Sequence, residues 1–198
     1  MGGDRWTPGF AFMLAGLGLL AVSAAFEAEL VMSGLEGGGT DFVRLSAVPW
    51  ALGLLFFGYA LDHPEVLWDR ERGRRVLAAY LLFADGGIHI LAIGEHIDRL
   101  AVAFFLVLAP LELLSGFYLL RASRPVLWGW LLAAIGLTTL YVASRLVILP
   151  FVGQQYPFGP LGLVSKAIEG LLVVAIAREL WATSAARQPA APRAATQS

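Results

Sequence analysis

The sequence predicts an all-α integral membrane protein, a bundle of six transmembrane helices. Of its 198 residues, 58% are hydrophobic and only 15% are charged, whereas ordinary soluble domains carry about 25% charged residues. Apolar stretches of about 20 residues, the length that crosses the hydrocarbon core, alternate with short polar loops. The arginines concentrate in every second loop, which is typical of a chain that passes repeatedly through a bilayer.

Six segments are long and apolar enough to be spans. The first follows Thr7, a helix N-cap, and has Pro8 at the first helical position, and the fifth has Ser123 as its cap. Residues 1–183 therefore form one transmembrane domain, and the polar, Pro/Ala-rich residues 184–198 are expected to be a disordered cytoplasmic tail. The predicted spans are 8–33, 45–61, 76–97, 100–121, 125–149 and 160–181.

The distribution of arginine predicts the orientation. Ten arginines flank the spans on the side of the two termini, against two on the other side. Because cytoplasmic loops carry the excess of basic residues, both termini are expected in the cytoplasm and the protein in the cell (inner) membrane. Five tryptophans fall at the same boundary, as an aromatic belt would. The ten arginines are Arg5, Arg70, Arg72, Arg74, Arg75, Arg121, Arg124, Arg178, Arg187 and Arg193, the two are Arg44 and Arg99, and the tryptophans are Trp6, Trp68, Trp128, Trp130 and Trp181.

An alternative reading applies to the N-terminus. Residues 10–21 followed by the small residues of VSAA have the pattern of a cleaved signal peptide within residues 1–25. The n-region weakens this alternative, because its single Arg5 is offset by Asp4. Cleavage would leave five spans.

Composition and motifs exclude several function classes. The chain has no cysteine, which removes disulfides, thiolate metal sites, iron–sulfur clusters and cysteine nucleophiles. The basic residues flank spans and form no stripe interleaved with aromatics, so the bilayer is the expected partner and nucleic acid is not. The loop DRERGRR is interpreted as a topology anchor. G-x-S-x-G, H-E-x-x-H and Walker motifs do not occur.

The third span carries the most informative polar residues. Asp85 lies near its middle, His89 one turn further out and His96 near the outer surface. At 100° per residue these positions fall within about 40° of one another, so they form one polar face. Gly86-Gly87 beside Asp85 could loosen the third helix and Pro110 near Glu112 could kink the fourth at similar depth, and irregular backbone in a membrane is tolerated where it lines a cavity. The alternative for the glycines is close helix packing.

Most ionisable residues of the other spans lie between the middle of the membrane and its outer surface, whereas the inner half is almost purely apolar. Buried charges in a bilayer usually face the bundle interior and pair there. The sequence therefore predicts an outward-facing polar cavity that binds a cation or small polar ligand, in proton-coupled or metal transport. Its predicted ligand-binding residues are Asp85, His89, Glu112, Arg145, Lys166 and Glu169, with Glu27, Tyr141 and His96 in secondary positions.

A divalent transition-metal ion is the cofactor that this pattern favours. Asp85 and His89 are four residues apart and so share a helix face, and Glu112 is the predicted third ligand. The predicted spans also contain four buried acids, Glu27 and Glu169 among them, but only two permanently charged cations, Arg145 and Lys166. The carboxyl groups in excess must therefore be neutral, hydrated or matched by a bound cation. Haem is disfavoured, because the two histidines within the bundle, His89 and His96, lie on one helix.

Three alternatives remain open. Internal pairing without a ligand would join Asp85 to Lys166, Glu169 to Arg145 and His89 to Glu112. A membrane-embedded enzyme could use Asp85 and His89 on a lipid or quinone at the outer leaflet. The chain could also be a structural subunit of a larger membrane complex, or a homo-oligomer.

Overall fold

The computed structural model describes residues 6–33, 42–94, 99–148 and 160–185, and this part of the chain is all-helical. Six α-helices follow one another, with one short 3-10 helix at Pro64–Leu67 between the second and the third. The all-α prediction is thus confirmed for the described residues. The helices are α1 (Pro8–Met32), α2 (Phe42–Asp62), α3 (Arg70–Gly94), α4 (Arg99–Leu119), α5 (Arg124–Leu146) and α6 (Pro160–Ala185).

Four of these helices, α1, α3, α4 and α5, are long and apolar enough to cross a membrane. The described apolar part of α2, Ser46–Asp62, is shorter than 18 residues. Helix α6 is not among the four, and it carries four charged residues, each of which raises the cost of placing the helix in lipid. They are Lys166, Glu169, Arg178 and Glu179.

Helix α3 is the centre of the fold. In its most apolar 18-residue window 83% of the residues are buried within the protein, against 17–22% in α1, α4 and α5. It packs against α1, α2, α4 and α6, while α1 and α2 pair closely and α5 lies on α6. The outer helices expose large apolar side chains such as Phe26, Phe104 and Leu132. Large apolar side chains on the outer surface of a helix bundle are compatible with a lipid environment, because lipid chains are themselves apolar.

One apolar cluster closes the bundle at the end that carries Arg70, Arg124 and Arg178, hereafter the arginine-rich end. It joins α3, α4, α5 and α6, and its side chains are at most 9% exposed. We call it the apolar layer. Its large members include Leu82, Leu119, Leu131, Leu172 and Ile176.

Several sequence-level details can be compared directly with the structure. Thr7 caps α1 as predicted, since its hydroxyl accepts the Phe10 N–H at 3.1 Å. Ser123 is the N-cap of α5, but its side chain makes no capping hydrogen bond. Helices α3 and α4 continue through Gly86-Gly87 and Pro110, so neither helix is broken at these positions. Of the belt tryptophans, Trp6, Trp68, Trp128 and Trp181 are exposed and Trp130 is partly buried.

Some predictions fall outside the described residues. His96, the segment 186–198 of the predicted tail, and Arg5, Arg187 and Arg193 lie there. The described helix α6 continues to Ala185, so it includes the first two residues of that predicted tail.

Helices α1 and α2 approach each other so closely that only glycine fits at the contact. A Cβ on Gly58 would collide with the backbone oxygen of Gly9, and one on Gly9 would collide with that of Gly58. About two helical turns after Gly9, a Cβ on Gly16 would lie 2.6 Å from the backbone oxygen of Ala51. Small residues that let backbones touch are the usual basis of helix pairing in lipid, where apolar burial gives no driving force.

We expect Gly58→Ala to destabilise the protein, because the new methyl group forces the two helix backbones apart. Overpacking of this kind costs about 1–3 kcal/mol, and thermal unfolding in mild detergent would measure it. Gly53→Ala is the matched control on the same helix, since a Cβ there meets nothing within 4 Å. Equal melting temperatures for the two variants would contradict the proposed backbone contact.

Candidate functional site

The site begins with two side chains of α3. Asp85 and His89 are one helical turn apart and almost completely buried, with exposures of 1% and 4%. Asp85 Oδ1 accepts a hydrogen bond from the hydroxyl of Ser165 on α6 at 3.1 Å. The polar face of α3 predicted from the sequence therefore points into the bundle at both of these positions.

Helix α4 contributes an acid to the other side of His89. The His89 Nδ1 atom lies 2.7 Å from Oε2 of Glu112, and both side chains are buried. This confirms the predicted contact between the two residues. The imidazole ring also stacks on Phe105 at a centroid distance of 5.2 Å, so its orientation is fixed from two directions.

The second oxygen of Glu112 has a different environment. Glu112 Oε1 is buried and receives no hydrogen bond from the residues that the structure describes. Buried polar atoms are nearly always satisfied, so such an atom requires a bound proton, water or ligand as its explanation.

A third carboxylate reaches the site from α6. Glu169 is fully buried and accepts hydrogen bonds from the Lys166 ammonium and the Thr138 hydroxyl. Lys166 lies three residues before Glu169 on the same helix face, so the pair forms locally. The predicted pairs Asp85–Lys166 and Glu169–Arg145 are therefore wrong.

Three of these side chains form a compact donor group. One ligand atom each from Asp85, His89 and Glu169 lies within 4.8 Å of the other two. Glu112, which we expected as the third metal ligand, is not in this group, because it lies against the Nδ1 side of the His89 ring. We call Asp85, His89 and Glu169 the donor triad.

The glycines next to Asp85 let two helices come close to the donor triad. A Cβ on Gly86 would lie 3.2 Å from the Ala109 oxygen and 3.2 Å from the Cβ of Glu112 on α4. A Cβ on Gly87 would collide with Val48 on α2. Close packing, the second reading of this glycine pair, is thus what the structure shows.

The remaining predicted residues lie around Tyr141. The Arg145 guanidinium carbon is 4.5 Å from the centre of the Tyr141 ring, and the Lys166 nitrogen is 5.3 Å from it. Cations at these distances are attracted to the face of an aromatic ring. Glu27, on α1, is fully buried. The structure thus brings Tyr141 and Arg145 beside Lys166 and, through Lys166, next to Glu169.

One buried acid was missed by the sequence interpretation. Glu179, 1% exposed, accepts hydrogen bonds from Nε of Arg74 at 3.0 Å and Nε of Arg75 at 2.9 Å. The signal was present in the sequence, because Glu179 lies at the predicted depth of the DRERGRR loop. Two arginines of that loop therefore tie α3 to α6 at the arginine-rich end, in addition to any role in topology.

The fold and the site together define an all-helical protein with four apolar helices that could span a membrane and a buried acid–histidine cluster on the central helix. Comparison with known proteins adds nothing to this description, because no family model, curated protein or solved structure matches the chain.

The ion pair between Lys166 and Glu169 can be tested by a double-mutant cycle. We expect Lys166→Met to destabilise the protein by several kcal/mol, because removing one partner of a buried pair leaves an uncompensated charge. Adding Glu169→Leu should restore much of the loss. Unfolding in detergent would measure all four proteins of the cycle.

The matched control is a second cycle with Lys166→Met and Asp85→Leu, the pair expected from the sequence. The structure predicts a clearly smaller coupling energy there. A larger coupling in this second cycle would contradict the observed pairing.

Proposed function

We propose that this protein is an integral membrane protein with six spans, both termini in the cytoplasm, and that its donor triad binds a divalent transition-metal ion. The observation that carries the proposal is the close grouping of Asp85, His89 and Glu169 ligand atoms, all within 4.8 Å of one another. Two ligands on one ion lie at most about 4.4 Å apart, since each bond is about 2.0–2.2 Å long. Small side-chain movements would therefore bring all three ligands to bonding distance.

The donor set suits a metal such as Zn²⁺, Mn²⁺ or Fe²⁺. Two carboxylates and one imidazole are ligands that these ions accept. Their helical origin also favours a defined geometry: Asp85 and His89 are fixed on one turn of the most buried helix, and Glu169 comes from its packed neighbour α6. Ligands on packed helices are held more precisely than ligands on loops.

Glu112 has the contact expected of a supporting residue. Metal-binding histidines usually donate their second ring N–H to a carboxylate, which fixes the tautomer and raises the basicity of the ligand nitrogen. The contact of His89 Nδ1 with Glu112 leaves Nε2 for the ion. A bound water molecule would supply the donor that Glu112 Oε1 lacks among the described residues.

The charges at the site favour a divalent ion over a monovalent one. Asp85, Glu112 and Glu169 are three acids, and Lys166 is the one lysine beside them. With these four side chains ionised their summed charge is −2, which a divalent cation would neutralise; Arg145, 4.5 Å from the centre of the Tyr141 ring, has contacts of its own. Charges in a membrane interior are costly unless they are balanced in this way.

A second candidate function is a purely structural one, and the Lys166–Glu169 pair favours it. The ammonium already satisfies the carboxylate that the ion would need. In this case the buried polar residues specify how the helices pack, and the chain acts as a structural subunit of a larger membrane complex or of a homo-oligomer. The metal proposal requires Lys166 to move away from Glu169 when the ion binds.

The surroundings of the triad favour entry of the ion from the end opposite the arginine-rich end. Thr138 and Tyr141 on α5 continue the polar surface from Glu169 towards that end. Towards the arginine-rich end, Leu172 and Ile176 of the apolar layer follow Glu169 on α6. These surroundings favour access from that end, which transport of the ion would need in one of its two states.

We expect purified protein in mild detergent to bind about one transition-metal ion per chain, and Asp85→Asn, His89→Ala and Glu169→Gln each to abolish this binding. Each substitution removes one of only three protein ligands. Glu112→Gln should weaken affinity about 10–100-fold, as loss of an outer-shell partner does. Elemental analysis and titration with Zn²⁺ and Mn²⁺ would measure both effects.

His63→Ala is the matched control, because this histidine is about half exposed and lies far from the triad in the turn between α2 and α3. Its metal content should equal that of the unmodified protein. If the protein binds no ion, or if His63→Ala loses as much ion as His89→Ala, the metal proposal is wrong and the structural role takes its place.

Lys166→Met should tighten the binding of the ion, because the ammonium competes with it for Glu169. A hydrogen bond to a charged group is worth about 1.5–3 kcal/mol, and 1.4 kcal/mol corresponds to a tenfold change in Kd. We therefore expect a Kd at least about tenfold lower by titration. A weaker affinity would show that Lys166 helps to hold the ligand instead of competing with it.

A further inference from the structure

A groove at the arginine-rich end lies outside the donor triad and independent of it. It is lined by Arg74 of α3 and by Arg178, Trp181 and Ala182 of α6, and its volume is about 240 Å³. A water molecule occupies about 30 Å³ in the liquid, so the groove can accommodate a phosphate group with bound water.

The groove carries an excess of positive charge. Glu179 beneath it offers one carboxylate to two guanidinium groups, those of Arg74 and Arg75. Glu71, exposed and 3.8 Å from Arg75, is a second acid near them. Arg178 forms no ion pair with any residue in the described ranges. Three arginines thus face two acids, and one positive charge is left.

The buried acid also positions one of these arginines. Glu179 holds Arg74 through its Nε atom, so the terminal nitrogens of that guanidinium remain available at the groove. A planar guanidinium with two free N–H groups is suited to phosphate oxygens, which it can bind through two parallel hydrogen bonds. Because Glu179 is 1% exposed, this arginine is fixed from inside the protein.

Trp181, which also lines the groove, favours the phosphate of a lipid headgroup. Trp181 is 77% exposed on the last turns of α6, at the end of the bundle where α3 begins and α6 ends. Exposed tryptophan is enriched at the level of lipid headgroups, where its ring lies in the interface. Arginines next to the membrane surface on the cytoplasmic side attract anionic lipids.

We propose that the groove between Arg74, Arg178 and Trp181 binds the phosphate of an anionic phospholipid in the leaflet at the arginine-rich end. The headgroup phosphate lies between the two guanidinium groups, and Trp181 packs against the glycerol region. Because the lipid contacts both α3 and α6, binding stabilises the contact between these two helices.

The test uses the full-length protein in nanodiscs that contain phosphatidylcholine with increasing fractions of phosphatidylglycerol. Bound lipid would be counted by native mass spectrometry after release into detergent. We expect retained phosphatidylglycerol on the unmodified protein and at least about tenfold less on Arg178→Gln, because the loss of a direct hydrogen bond to a charged phosphate costs about 1.5–3 kcal/mol.

Arg121→Gln is the matched control, because it removes one exposed arginine from the same end but from the loop between α4 and α5. It should retain as much phosphatidylglycerol as the unmodified protein. Equal losses in the two variants would show a diffuse charge effect and overturn the groove as a site. Equal retention of phosphatidylcholine and phosphatidylglycerol would also overturn it.

Inorganic phosphate distinguishes a lipid from a soluble anion. In detergent, millimolar phosphate should not displace the retained lipid, because the lipid is also held by its chains and by Trp181. Complete displacement would identify the groove as a site for soluble anions and overturn the lipid assignment. Neither result depends on the metal site, since all variants leave the donor triad unchanged.

Discussion

The constraint on which the rest of the structure depends is that five acids lie inside an apolar bundle, and that the four on α3, α4 and α6 are bonded to side chains of neighbouring helices. Glu112 contacts His89 across the interface of α3 and α4, and Asp85 accepts from Ser165 across that of α3 and α6. Glu169 accepts from Thr138 on α5, and Glu179 joins the arginines of α3. Unsatisfied polar groups are costly in a membrane interior, so these contacts fix the rotation and register of α3 to α6.

The same reasoning explains which parts of the site could be predicted from the sequence. The periodicity of a single helix shows that Asp85 and His89 share a face, and matched depth brings Glu112 to His89. Periodicity does not show which neighbour a face meets. Lys166 was therefore assigned to Asp85, although a partner three residues away on its own helix was nearer. The arrangement of the helices, which sequence does not provide, decides between such partners.

The glycines and the proline show a related limit. Both residue types are associated with breaks in helices, and the sequence interpretation placed such breaks beside Asp85 and Glu112. The surrounding helices override this local tendency: α3 and α4 are continuous there. The missing side chains of Gly86 and Gly87 instead admit α4 and α2 to close contact with α3. A segment that appears flexible in isolation is thus one of the most tightly packed parts of the fold.

The two polar regions of α6 differ in a way that bears on transport. Glu169 and Glu179 are ten residues apart, about 15 Å along the helix axis, and Leu172 and Ile176 of the apolar layer lie between them. If the protein transports the ion proposed above, that ion would have to cross this layer, whose side chains are all apolar. Passage therefore requires α6 to move relative to α3, and Glu179 opposes that movement because it holds both Arg74 and Arg75. Binding at the triad needs no such movement, so the structure is consistent with an ion-binding state that is closed on the arginine-rich side.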